Sequence, residues 1–172
     1  MHDFQPYPID VLEINPFTKL SNEWAALVTE ADGKVNAMTV SWGGIGVLWG
    51  KNTCTIYVRD SRYTKELLDK SDTFSLCFFG EGKKHSTLQY LGKASGRNEN
   101  KIAAAGLEVN HAKDIAFLDT SNFVFLCKKL SATKINEEDF IDPDLKENFY
   151  SGKEEGNFHT MYIGEIVEVL AR

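Results

Sequence analysis

No apolar run in this sequence approaches the roughly 20 residues that a membrane-crossing helix needs. Its first ten residues, MHDFQPYPID, lack the basic-then-apolar design of a secretory signal. There are three cysteines, an odd count with no Cys-x-x-Cys spacing. Cys54, Cys77 and Cys127 each lie in an apolar run, so buried free thiols in a reducing, cytoplasmic compartment are expected, and no membrane association. Long basic runs are missing too: Lys83-Lys84 and Lys128-Lys129 are the longest, in a chain of net charge −6. That excludes a nucleic-acid binder of the usual basic kind, although one local basic pocket remains allowed. His2, His85, His111 and His159 show no ligand spacing and have no cysteine near them, so no metal site is expected. Nucleophilic catalysis finds no Gly-x-Ser-x-Gly. Phosphate loops of the two common types fail as well. Gly44-Ile45-Gly46 has Trp49 where a dinucleotide fingerprint needs its third glycine, and Gly50-Lys51 is followed by Asn52 rather than Ser or Thr.

What is present describes one globular domain. The 172 residues are 42% hydrophobic and 26% charged, with no repeat, low-complexity tract or linker. Three of the four prolines, Pro6, Pro8 and Pro16, fall within residues 1–21, which predicts an extended lead-in. Glu23–Glu30 and Val35–Ser41 read as a hairpin about the Asp32-Gly33 turn signal. Trp42–Gly50 reads as a tight glycine loop needing positive φ, and Thr53–Val58 as a strand. Ser61–Ser71 reads as a helix capped by Asp60 or Ser61, with Tyr63, Leu67 and Lys70 along one face. Thr73–Phe79 reads as a strand buried on both faces, and Lys84–Leu91 as a short helix ended by Gly92. Lys101–Ala105 reads as a helix stopped by Gly106. Asn122–Cys127 is a strand that Lys128–Ile135 extends, and Asn136–Tyr150 is an acidic helical excursion in which Asp142-Pro143 suits a first turn. Met161–Leu170 is the last strand, with Glu165 and Glu168 outside. Strands outnumber helices without regular alternation, which predicts a mainly β, antiparallel barrel with helical insertions rather than a βαβ sheet.

The chemistry concentrates in Gly33–Thr64. Arg59, Ser61, Arg62 and Thr64 stand at a helix start, where free N–H groups and the dipole favour an anion. Cations there oppose the dipole, at a cost of about 0.3–1 kcal/mol each. A phosphate reverses that sign; a solvated helix start is the competing explanation. Lys93, Ser95 and Arg97 repeat the basic-plus-hydroxyl composition on a second loop, and count only if the fold brings them near. Trp42 and Trp49 read as core or interface anchors, with ring stacking open to Trp42. His159, just before the last strand, reads by itself as a surface histidine.

Taken together, several segments resemble the flavin reductase-like family of FMN-binding split barrels, and within it the flavoredoxin-type branch. They are Ala26–Thr29, Asn36–Gly43, Gly46–Lys51 and Tyr57–Thr64, then Leu91–Arg97, Ala105–Leu107 and His159–Ile166, in family order over most of the chain after Trp24. The resemblance implies a six-stranded antiparallel Greek-key barrel spanning residues 1–172, a homodimer with FMN near the subunit interface. It implies that Asn36, Met38, Thr39, Val40, Ser41 and Trp42 line the isoalloxazine ring. It places Arg59, Ser61, Tyr63 and Thr64 at the phosphate and ribityl chain, Lys93 near the cofactor, and His159 as the catalytic residue on the nicotinamide side. The activity implied is electron transfer from NAD(P)H to flavin. Gly50-Lys51-Asn52 stands where the short NAD(P)H:flavin reductases carry a double proline. Two other readings therefore stay open: an electron carrier holding FMN tightly for a redox protein partner, and a non-catalytic flavin-binding dimer.

Overall fold

The computed structural model describes residues 3–80 and 84–172, and His2 and Lys83 lie outside the described residues. The lead-in is less extended than its prolines predict. It forms a short strand β1 (Gln5–Pro6), a 3₁₀ turn (Ile9–Val11) and a helical turn α1 (Pro16–Thr18) that passes into a π-turn. Pro16 takes the first helical position, where its missing N–H costs nothing, and the Asn15 side chain accepts from Phe17 and Thr18. Four strands follow: β2 (Ala25–Ala31), β3 (Lys34–Val40), β4 (Gly43–Leu48) and β5 (Lys51–Arg59). Then come helix α2 (Tyr63–Lys70), strand β6 (Thr73–Phe78) and helices α3 (Lys84–Lys93) and α4 (Lys101–Ala104). The hairpin β7 (Val109–Ala112) and β8 (Ile115–Leu118) precedes the long strand β9 (Phe123–Lys134). Helix α5 (Pro143–Phe149) and β10 (His159–Ala171) complete the chain.

Three hairpins turn on paired left-handed residues: Asp32-Gly33, Trp49-Gly50 and Lys113-Asp114. Positive φ at both central positions is what a type I′ turn requires, and its twist matches that of the strands it joins. The second of these corrects the sequence expectation. Trp42–Gly50 is mostly strand, not loop, and of its four glycines only Gly50 has positive φ. Gly43 serves close approach, since a Cβ there would sit 2.3 Å from the Thr55 carbonyl oxygen, whereas a Cβ on Gly44 or Gly46 would meet nothing within 4 Å.

The main sheet runs β3-β2-β6-β9-β10-β5-β4, with β1 added to β10, and every pairing is antiparallel. Six of its strands send side chains into one interior. Leu27, Met38, Ile56, Phe74, Phe125 and Tyr162 represent β2, β3, β5, β6, β9 and β10 there. That is the expected antiparallel barrel with a Greek-key strand order, and β1, β4 and the β7–β8 hairpin are additions to it. A second apolar layer covers the outside of β2, β6 and β9 with Leu88 and Leu91 of α3, Ile102 of α4 and Phe117 of β8. This explains why β6 reads as apolar throughout: five of its six residues are buried, because both faces are covered. Full burial of each such leucine or phenylalanine is worth about 1.5–3 kcal/mol.

Other boundaries differ from expectation. Helix α2 starts at Tyr63 with Arg62 as N-cap and no side-chain cap bond, so neither Asp60 nor Ser61 caps it. Its buried face is Thr64, Leu67 and Leu68, while Lys70 is exposed and pairs with Asp32. Gly92 does not end α3, which continues to Lys93. In β10 a register shift between Ile166 and Glu168 turns Val167 outward. The three cysteines are free and buried, as expected, with Cys54 and Cys127 sulfurs 3.4 Å apart. Among the described residues no helix is long and apolar enough to cross a membrane.

Candidate functional site

The barrel is split where β3 and β5 touch without sharing a hydrogen-bonded ladder. β3 is there an unpaired edge, and β5 pairs instead with β4 and β10. Alternation along β5 sends Cys54, Ile56 and Val58 into the core and leaves Tyr57 and Arg59 on the other face. The β5–β10 register puts His159 directly opposite Arg59. A cavity of about 180 Å³ lies at this seam. Met38, Thr39, Val40, Ser41 and Trp42 form one wall, and Tyr57, Arg59, Arg62 and His159 the other.

A second cavity of about 220 Å³ adjoins it, because Met38 and Arg62 line both. Asn36, the start of α2 from Ser61 to Thr64, and the 93–97 loop enclose this one, with Lys101. The structure therefore gathers the residues that the resemblance placed at the cofactor into two touching cavities, and brings the Lys93–Arg97 loop to the helix start; Trp49 lines neither. The loop fits because it lacks a side chain at one point. A Cβ on Gly96 would lie 2.3 Å from Asn36 Oδ1 and 2.7 Å from Tyr63 Cδ1. Asn36 in turn donates to the Thr64 hydroxyl at 2.8 Å, tying β3 to α2.

Charge in the site is positive and partly committed. Arg59 turns away from the helix start. Its guanidinium donates to the carbonyls of Asn157 (3.0 Å) and Phe149 (3.1 Å), lies 3.4 Å from Glu154, and stacks over Tyr150. Asn157 also covers Ser61: its Oδ1 accepts from the Ser61 N–H, and its Nδ2 donates to the Ser61 hydroxyl. Arg62 reaches the Gly92 carbonyl at 3.0 Å, and Arg97 pairs with Glu66 and the Ser61 carbonyl. Lys93 is exposed on the rim of the second cavity. The N–H groups of Tyr63 and Thr64 have no acceptor among the described residues.

His159 is not the surface histidine its position suggested. It is 6% exposed, packed against Trp42, and its Nδ1 is 2.6 Å from the Tyr150 hydroxyl. Burial, with Arg59 and Arg62 nearby, lowers its pKa to about 4, so the imidazole is neutral at pH 7. A neutral ring that accepts at Nδ1 carries its proton on Nε2. Tyr150 itself is held by Phe140 and Phe158. The acidic excursion thus closes over the Arg59 end of the site.

Sequence reasoning placed Arg62 in the anion-attracting helix start without assigning it to the cofactor, and did not single out Tyr57, Tyr150, Asn157 and Lys101 as site residues. The two-residue period along β5 could have paired Tyr57 with Arg59, and Arg62 lay inside the basic, hydroxyl-rich run. Tyr150, Asn157 and Lys101 arrive by tertiary contact and leave no local signal.

The comparisons bear on this arrangement. No curated protein matches the chain. Among solved structures, an FMN-binding domain of a flavin reductases-like enzyme from Shewanella baltica superposes with a TM-score of 0.69 at 14% identity, over 98% of this chain and 77% of that one. A flavoredoxin from Methanosarcina acetivorans gives 0.66 at 18% identity, over 87% and 68%. The flavoredoxin of Desulfovibrio vulgaris gives 0.66 at 20%, over 87% and 69%. At such identities the likeness is one of fold. The family model of the flavin reductase like domain matches residues 19–172, from the helical turn before β2 to the last residue of the chain. That span holds both cavities, and the chain belongs to the flavin reductase-like domain family.

Proposed function

We propose that this chain is an FMN-binding oxidoreductase of flavin reductase type that passes electrons from NAD(P)H to flavin. The observation that carries the reading is the pair of touching cavities. One is walled by a strand end and flanked by aromatic rings; the other is ringed by cations, with free N–H groups of a helix start close by. That division fits a molecule with a planar ring at one end and a phosphate at the other.

Bound FMN would supply the two-electron acceptor chemistry, which no side chain has. The protein's own part is placement. Met38 to Trp42 would hold the ring, with backbone groups of the strand end positioned to meet the charge that reduction brings. Ser61, Arg62, Tyr63, Thr64 and Lys93 would hold the ribityl chain and phosphate, the cations offsetting its charge of about −2. Arg59 would act behind them, holding the end of the excursion that carries Tyr150, and the Asn157 that follows it, over the cleft. His159, held neutral, would meet the donor as a hydrogen-bonding group rather than as a cation.

A tightly bound FMN exchanging electrons with a protein partner is the second reading. One observation favours it: Trp42, Tyr150 and Phe149 crowd the His159 side, where a nicotinamide would approach. Absorbance after purification, then after anaerobic NADH or NADPH addition, separates the two. A yellow protein bleached by either nucleotide supports the reductase. A yellow protein that neither bleaches belongs to the carrier, and a colourless one that binds no added FMN refutes both.

A further inference from the structure

Lys101 is an unusual lysine. It opens α4 yet is only 4% exposed. Its ammonium donates to the carbonyl of Leu91 at 2.8 Å and to that of Ala94 at 3.0 Å, at the C-terminal end of α3. A lysine ammonium has three donors. Two are used here, and Lys101 lines the same cavity as Ser61, Arg62, Thr64 and Lys93. The setting explains why a charge is kept in so dry a place. The end of α3 turns its unpaired carbonyls, the negative end of its dipole, toward this cavity. Left alone they would repel an anion. Arg62 covers the Gly92 carbonyl and Lys101 covers those of Leu91 and Ala94, so two cations reverse the local sign.

We infer that Lys101 is a buried anion-positioning residue, whose third N–H and positive charge hold the phosphate of a flavin mononucleotide in the second cavity. The inference rests on the flavin reading and adds a residue to it. A helix-capping role alone would use the two carbonyls and leave ligand binding unaffected. Arg62 acts on the ammonium from the start of α2 and Glu99 from the loop before α4, while Lys93, at the end of α3, lines the same cavity. Burial and Arg62 lower its pKa to about 8, while Glu99 opposes them. A phosphate beside it stabilises the charged form and raises that value again. FMN binding near pH 8.5 must then take up protons, and affinity must fall as pH rises through 8. The phosphate has already lost its second proton there, its pKa being about 6, and the arginines do not titrate.

The test is calorimetry of FMN and of riboflavin at pH 8.5, in two buffers of different ionisation enthalpy. It uses the parent, Lys101→Gln, which keeps an N–H donor for the carbonyls, and Lys101→Arg, which keeps the charge. The expected result is proton uptake with FMN and none with riboflavin in the parent. Lys101→Gln loses that uptake and at least tenfold of the FMN affinity at pH 7, while its riboflavin affinity is unchanged. Lys101→Arg regains the FMN affinity. Absent uptake in the parent, or equal FMN affinity in Lys101→Gln, overturns the inference. If the parent binds neither flavin, the functional reading fails by itself, and inorganic phosphate titrated into the same proteins decides the lysine. Tenfold weaker phosphate binding in Lys101→Gln then supports its role, and equal binding rejects it.

Discussion

Arg59 shows how a residue with an obvious partner in sequence takes another in space. Standing two residues before a hydroxyl-rich helix start, it reads as a phosphate ligand, but it spends its donors on the carbonyls of Phe149 and Asn157. Arg59→Ala is therefore expected to loosen the excursion as well as any anion. Two charge-assisted bonds, one half-buried and one exposed to solvent, should contribute about 1–3 kcal/mol in net terms. Thermal unfolding of the ligand-free protein should show it, at about 2–4 °C per kcal/mol for a chain of this size. An unchanged melting temperature would return Arg59 to the ligand alone. His159 gives a pH prediction. Its folded pKa of about 4 lies below the ordinary 6.5, so the folded state binds fewer protons than the unfolded one between these values. Stability from this group is complete above 6.5 and is lost as pH falls toward 4, by an amount on the order of 1–3 kcal/mol. Denaturant titrations at pH 7 and pH 4.5 should show that slope, and His159→Gln should flatten it. Equal slopes in parent and variant would refute the buried, neutral histidine.

At the scale of elements, the site depends on how closely the loop after α3 approaches β3 and α2. Gly96 sets that distance. Gly96→Ala must push Asn36 from the Thr64 hydroxyl or move the loop outward, since its Cβ would meet Asn36 Oδ1 at 2.3 Å. Loss of that bond and its alignment should weaken FMN binding by about tenfold, the equivalent of one hydrogen bond. Quenching of flavin fluorescence during titration measures it, and an unchanged dissociation constant would remove this loop from the binding site. β4 teaches the same lesson about glycine from the other side. Four glycines in Gly43–Gly50 looked like turn residues, yet Gly43 is there to let a strand pass the Thr55 carbonyl. The β7–β8 hairpin gave no signal because its turn, Lys113-Asp114, contains no glycine or proline.

At the scale of the molecule, β4 and its hairpin turn carry Val47, Leu48 and Trp49 outward, 74%, 38% and 62% exposed. Trp42, at the mouth of the first cavity, is 43% exposed. A small domain seldom leaves such side chains uncovered together. The expected partner is a second copy, so light scattering at micromolar concentration should give about twice 19.3 kDa. A monomer mass would refute it, and Trp49→Glu should shift a dimer toward monomer. The sequence by itself determined the strand-rich class, the hairpin at Asp32-Gly33, the doubly buried β6 and the family, because alternation, turn residues and local motifs are written in neighbouring positions. It also named side chains that line the cleft, from Asn36 to Trp42 and at the start of α2. Only the tertiary structure decided what those side chains hold. Asn157 lies 96 residues from Ser61, Phe149 90 from Arg59, and Lys101 caps a helix that it does not belong to. Those contacts are fixed by which strands pair and which helix ends meet: the partners of Ser61 and Arg59 lie beyond any local window of sequence, and Lys101, though only 10 and 7 residues from Leu91 and Ala94, reaches them because the chain folds back after α3.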